Sequence, residues 1–225
     1  GAIVVGGFTR TSEVAASQDA FLARYDATGA LDPSFGVGGV ATLDFGDRIE
    51  TPFDLVRQAD GSLVVVASSL DPLNQTASPP HAVLALVDAS GTLDPTFGSG
   101  GWTEFSVAMR TGLTNMVQLP DGHLFTAGSY SDDGISGHSI YARFDANGAL
   151  DVGFGDGGVV EPPPGPVYGL GLDADGKVLA AGPGFLWGHW QALGAIRMTG
   201  DGERDVTFGN GGRASVYPGK FTVNA

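Results

Sequence analysis

The stretch Leu31-Asp-Pro-Ser-Phe-Gly-Val-Gly-Gly39 returns three times, as Leu93-Asp-Pro-Thr-Phe-Gly-Ser-Gly-Gly101, Leu150-Asp-Val-Gly-Phe-Gly-Asp-Gly-Gly158 and Arg204-Asp-Val-Thr-Phe-Gly-Asn-Gly-Gly212. Its phenylalanines, Phe35, Phe97, Phe154 and Phe208, are spaced by 62, 57 and 54 residues. A period of this length marks a recurring supersecondary unit that buries its apolar face against the next copy. A second element recurs out of phase with the first. Asp60-Gly61, Asp121-Gly122 and Asp175-Gly176 each precede an apolar run such as Ser62-Leu-Val-Val-Val-Ala67, and Gly1-Ala-Ile-Val-Val-Gly-Gly7 matches these runs from the glycine onward.

Within one period the pattern reads as four short strands. The first covers 53–58 and ends at an Asp-Gly turn, a strong hairpin signal because glycine accepts positive φ. The second covers 63–68, and a connection of variable length leads to the third at 82–87. The turn Asp88-Ala-Ser-Gly-Thr92 and the Phe-Gly-x-Gly-Gly element then deliver the fourth at 102–107. Four antiparallel strands per repeat, stacked face to face around an axis, describe a β-propeller, whereas a β-sandwich gives no reason for the long period. The expected fold is therefore an all-β propeller of four repeats of about 57 residues, with units at roughly 1–60, 61–121, 122–175 and 176–225. Two arrangements of the ends stay open: a ring closed by pairing 220–224 with the strand at 2–8, which would set Val223 beside Ala2 to Val5, or four units of a longer array. Closure removes exposed sheet edges.

Composition agrees with strands. The 225 residues include 37 glycines and 13 prolines, which disfavour helix, and 42 % apolar residues, enough for a core. With 25 acidic against 11 basic residues the net charge is −14, so nucleic acid and anionic membrane surfaces find no complementary face. Apolar runs such as Leu63 to Ala67 are far too short to span a bilayer. Zero cysteines exclude disulfides, thiolate metal sites and cysteine nucleophiles. No charged leader stands at residue 1, so a secretion signal is expected outside the sequence.

The alternation of Leu-Asp-x-x-Phe-Gly-x-Gly-Gly with Asp-Gly followed by an apolar run resembles the delta-60 repeat family, β-propeller repeats of bacteria, over essentially the whole chain. The fourth copy departs from it at Arg204, for leucine, and at Thr199, where Asp26, Asp88 and Asp145 hold the matching place. The resemblance implies a propeller on secreted or surface-associated proteins and supplies no catalytic residues.

Twenty of the 25 acids are aspartates. Asp173-Ala-Asp175-Gly176 resembles the start of a calcium loop, but the sister repeats carry Gln58 and Gln118 there and the closing glutamate is missing, so it reads as a structural turn. Asp32, Asp94, Asp151 and Asp205 recur at one motif position, where a carboxylate accepts backbone N–H bonds from two residues on. Arg24, Arg143 and Arg197 share one position of the third strand, which predicts salt bridges between blades. Asp19, His81, His138 and His189 fall at related places, yet the third strand lies roughly 10 Å outside the inner one, so these positions diverge rather than meet on a metal. No metal and no cofactor is expected.

No nucleophile elbow, zinc-binding helix or phosphate loop occurs. Loops carry function on rigid scaffolds, and the connections 9–19, 69–80, 129–137 and 183–191 share neither length nor composition. The candidate binding residues are Phe185, Trp187, His189 and Trp190 in the last of these and Tyr130, Asp132 and Asp133 in the third. Aromatic rings there would stack on a sugar or anchor another surface protein, or else fold inward as a cap. The expected function is a non-enzymatic binding or interaction propeller of the bacterial exterior. Two alternatives stand beside it: a carbohydrate-active enzyme using loop acids such as Asp132 and Asp133, and a structural spacer in a larger surface protein.

Overall fold

Strands account for all the regular structure among the described residues of the computed structural model, which are 1–10, 18–46, 48–71, 80–133, 137–161, 166–183 and 193–216. The first unit contributes β1 (Ile3–Arg10), β2 (Gln18–Tyr25) and β3 (Val40–Leu43). The second contributes β4 (Ile49–Arg57), β5 (Leu63–Leu70), β6 (His81–Val87) and β7 (Trp102–Phe105). The third comprises β8 (Arg110–Gln118), β9 (Leu124–Ser131), β10 (His138–Phe144) and β11 (Val159–Val160). The fourth comprises β12 (Gly169–Leu172), β13 (Val178–Pro183), β14 (Leu193–Met198) and β15 (Arg213–Val216). Each unit is an antiparallel meander in chain order, and a single parallel bridge, Gln18 to Ile49, joins the first unit to the second. Gln18 reinforces that seam, its side-chain amide donating to the Glu50 carbonyl at 3.0 Å.

Three cores lie between the four units. Along β5 the side chains alternate: Leu63, Val65 and Ala67 pack with Leu22 and Phe35 of the first unit, while Val64 and Val66 pack with Leu113 and Ile140 of the third. This two-sided burial explains why the strand is almost uniformly apolar. Phe125, Ala127 and Tyr141 meet Val178, Ala180 and Ile196 in the third core.

The repeated motif is the latch between sheets. In every copy the aspartate accepts the N–H two residues on: Ser34 to Asp32 at 3.0 Å, Thr96 to Asp94 at 2.9 Å, Gly153 to Asp151 at 3.0 Å and Thr207 to Asp205 at 3.0 Å. The turn at Asp173 is closed likewise, by the N–H groups of Asp175 and Lys177. Where Thr199 replaces an aspartate, its hydroxyl accepts the Glu203 N–H at 3.3 Å and the backbone turn is kept. The motif phenylalanine lies under the turn of the next unit. A Cβ at Gly148 would stand 2.4 Å from the Phe97 ring, and one at Gly202 would stand 2.7 Å from the Phe154 ring. Both glycines adopt positive φ, so they satisfy the turn and the close approach together.

Two expectations are corrected here. Phe35, Phe97 and Phe154 are 0–1 % exposed, but Phe208 is only half-buried, and no turn among the described residues covers it. The arginines bond mainly within their own unit. Arg24, Arg143 and Arg197 each donate through Nε to the motif aspartate, at 3.0, 2.8 and 2.9 Å, and stack over the motif phenylalanine at 4.6–5.0 Å. Only Arg143 forms an ion pair across units, with Asp201 at 2.8 Å, while Arg24 reaches the Ala89 carbonyl. The eight-residue offset between arginine and aspartate sets both on one side of the same sheet, so the nearest carboxylate is internal.

No strand of the fourth unit pairs with one of the first among the described residues, and 220–224 with Val223 lie outside them. The ring closed through those strands is therefore no part of the described fold. Among the described residues no helix is long and apolar enough to cross a membrane.

The Tyr141 hydroxyl is buried in the third core without a hydrogen-bond partner among the described residues, and burial pushes its pKa well above the usual phenol value. An unsatisfied buried hydroxyl costs about 1–3 kcal/mol. Tyr141→Phe should therefore raise stability by about 1 kcal/mol in urea denaturation.

Candidate functional site

The inner strands β4 and β8 both carry a β-bulge, at the same place in the repeat. Register shifts between Pro52 and Asp54 and between Leu113 and Asn115, leaving Phe53 and Thr114 as the extra residues. A bulge re-aims its side chain. In β4 it is held by Asp54, whose carboxylate accepts the Met116 N–H of the neighbouring sheet at 2.8 Å and the Leu55 N–H at 2.8 Å. Phe53 thereby stays 49 % exposed in the middle of a strand whose neighbouring residues are buried or half-buried.

Phe53 and Thr114 line an open cleft of about 380 Å³ between the second and third units, together with Arg110, Tyr130, Ser68 and Ser129. Tyr130 is fixed from two sides. Its hydroxyl donates to the Glu161 carboxylate, and its ring stacks on His138 at 5.1 Å between centroids and 23° between planes. That bond and the nearby anions keep the phenol protonated, its pKa raised by Glu161 first of all. Arg110 is exposed and forms no ion pair among the described residues. An exposed aromatic face, a free guanidinium and surrounding hydroxyls suit a polyhydroxylated ligand, and the described lining contains no carboxylate to act as acid or base.

A second feature lies nearby on β4. Glu50 is 0 % exposed, and neither of its carboxylate oxygens has a partner of hydrogen-bond geometry among the described residues. Burial first, then the charges of Asp19 and Asp44, raise its pKa to about 7, and the nearby amide of Phe45 offsets only part of this. No group of three or more histidine and acidic side chains suited to a metal is gathered among the described residues.

Residues 1–35, 58–97 and 119–154 match the family described as domain of unknown function (DUF5122) beta-propeller. The repeats are β-propeller repeats. The matched stretches end at Phe35, Phe97 and Phe154, so they share the motif phenylalanine that the next blade's turn covers. No curated protein matches the chain in sequence.

The propeller distributes the sequence-derived candidates unequally. Tyr130 stands at the end of β9 in the cleft wall, whereas Asp132 and Asp133 follow it as exposed residues outside the lining, with Asp133 accepting a bond from the Ser131 hydroxyl at 3.1 Å. Phe185, Trp187, His189 and Trp190 lie outside the described residues. His81 sits 3.0 Å from the Glu104 carboxylate on β7, and His138 stacks on Tyr130. Asp19, on β2, belongs to another blade. Sequence reasoning missed Phe53 and Arg110. The available signal for Phe53 was Pro52, since a proline inside a strand marks a bulge or an edge.

Proposed function

We propose that the chain is a non-enzymatic binding propeller that takes a glycan into the cleft between its second and third blades. What carries the reading is the half-exposed ring of Phe53, aimed by a bulge into a cleft beside the free Arg110. A sugar ring stacks on such a face, its hydroxyls accept bonds from the guanidinium and from Ser68 and Ser129, and one of them donates to the Tyr130 oxygen, whose proton is held by Glu161. The net charge of −14 disfavours a polyanionic ligand, which points to a neutral oligosaccharide. The resemblance to the delta-60 repeats supports a place on the bacterial exterior, where glycans and surface proteins are the available partners.

Calorimetric titration with a panel of neutral oligosaccharides tests this. Phe53→Ala and Arg110→Ala should each weaken binding at least about 10-fold, equivalent to 1.4 kcal/mol, with melting temperatures close to the parent. Binding that neither substitution weakens, or no binding across the panel, would reject the cleft. Release of new reducing ends that is lost in Asp132→Asn or Asp133→Asn would favour the carbohydrate-active enzyme instead.

A further inference from the structure

Glu50 lies in the seam between the first and second units, and its surroundings leave it without a counter-ion. Register places Glu50 on β4, Ser69 on β5 and His81 on β6 directly opposite one another, with Glu104 one diagonal step away on β7. Paired residues share a face, and the alternation that sends Val65 and Ala67 into the first core turns this polar row toward the first unit. From the other side come Asp19 on β2 and Asp44 just after β3, whose charges reach the Glu50 carboxylate. The two side chains beside the row able to carry positive charge are engaged with a different acid. Arg48 donates to Glu104 at 2.9 Å and to the Ser69 hydroxyl at 3.4 Å, and His81 lies 3.0 Å from the same Glu104 oxygen.

The seam is held lightly at this level. The Gln18–Ile49 bridge is the one strand pairing between the two units among the described residues, and the Gln18 N–H reaches the Arg48 carbonyl at 3.4 Å. The Gln18 side-chain amide adds bonds to the Glu50 carbonyl at 3.0 Å and to the Thr51 hydroxyl at 3.2 Å. Beneath these contacts Leu22, Leu43 and Phe45 pack in the first core and keep the units together. The neighbouring seam shows that the fold tolerates an opening at this level. There Thr111 stands in the place of Glu50, its hydroxyl accepting the Val107 N–H at 3.1 Å, and the cleft lies open beside a core that contains Leu113 and Met116.

We propose that ionisation of Glu50 opens the seam at the Gln18–Ile49 bridge, so that this part of the first unit separates from β4 as pH rises while the core beneath stays packed. A buried carboxylate anion without a partner is costly, and it regains water only when the Gln18 contacts let go. Asp19 and Asp44 on one side of the seam and Glu50 on the other then repel across it. Because burial holds the Glu50 carboxyl protonated up to about pH 7, the seam is closed below that pH and open above it. This is local opening, distinct from unfolding of the whole chain. The proposal is independent of the glycan cleft, which lies in the next seam.

Amide hydrogen exchange of the whole chain, with rates corrected for the intrinsic effect of pH, tests it. Between pH 5 and pH 8 the protection of the Gln18 amide should fall at least about 10-fold more than that of Val65 in the middle of β5, and Glu50→Gln should remove the difference. The carbon chemical shift of the Glu50 carboxyl should titrate with the same midpoint. Equal losses at Gln18 and Val65 would mean that the whole fold feels the buried charge and no seam opens, which overturns the proposal. Unchanged Gln18 protection while the carboxyl titrates would overturn it as well, since Arg48 would then have turned from Glu104 to neutralise Glu50 in a closed seam. A selective loss at Gln18 that persists in Glu50→Gln would assign the opening to another group and reject Glu50.

Discussion

Phe97→Ala is expected to lower the unfolding free energy by about 3–5 kcal/mol, the range for emptying a buried aromatic site. The ring is 1 % exposed and packed under Gly148 of the following blade, in a core that also holds Leu84, Leu113 and Phe144. The truncation leaves a cavity at an interface that rigid backbone keeps from collapsing. Phe208→Ala, the same change at the equivalent repeat position, should cost less, about 1–2 kcal/mol, because that ring is already partly in water. Gly148→Ala should approach the larger loss from the other side, about 2–4 kcal/mol, since its φ of 81° is strained for alanine and its methyl would sit 2.4 Å from the Phe97 ring. Urea denaturation of the three variants checks the order. Equal losses at Phe97 and Phe208 would contradict the account of the latch.

Glu50→Gln is expected to stabilise the protein at pH 8 by about 1–3 kcal/mol and to have little effect near pH 4. The folded pKa of about 7 lies above the ordinary 4.5, so the folded protein holds a proton that the unfolded chain has released throughout that window. The stability tied to the protonated carboxyl is complete below pH 4.5 and is lost as pH rises through 7. Above that, the folded state carries an anion buried without a good partner, flanked by Asp19 and Asp44. The amide stays neutral and removes this dependence. Melting temperatures measured from pH 4 to 8 should fall for the parent and flatten for the variant. Parallel profiles would show that Glu50 does not titrate in the folded state over this range.

The repeats, the strands and their turns were legible in the sequence because each rests on local chemistry. The apolar runs beginning at Leu63 and Val178, the Asp-Gly turns and the aspartate-closed motif turns all depend on residues within a few positions of one another. Phe35, Phe97 and Phe154 were legible as core because their recurrence reports a common environment, but the same inference failed at Phe208. The site was only partly legible. Tyr130 was singled out for its variable loop, but Phe53 read as an ordinary strand residue, because a bulge is set by the pairing of β4 with β5 and not by β4 alone.

By itself, then, the sequence determined the all-β class, the four-unit period and the turns that punctuate it, all consequences of short-range backbone preference and apolar alternation. Only the tertiary structure decided which of four equivalent phenylalanines is left uncovered, where Arg110 and Phe53 meet, and that Glu50 loses its water. Each of these depends on what a distant segment brings to the residue. Phe35 and Phe208 occupy the same local motif, and the difference between them among the described residues is the turn of another blade, which lies over Phe35.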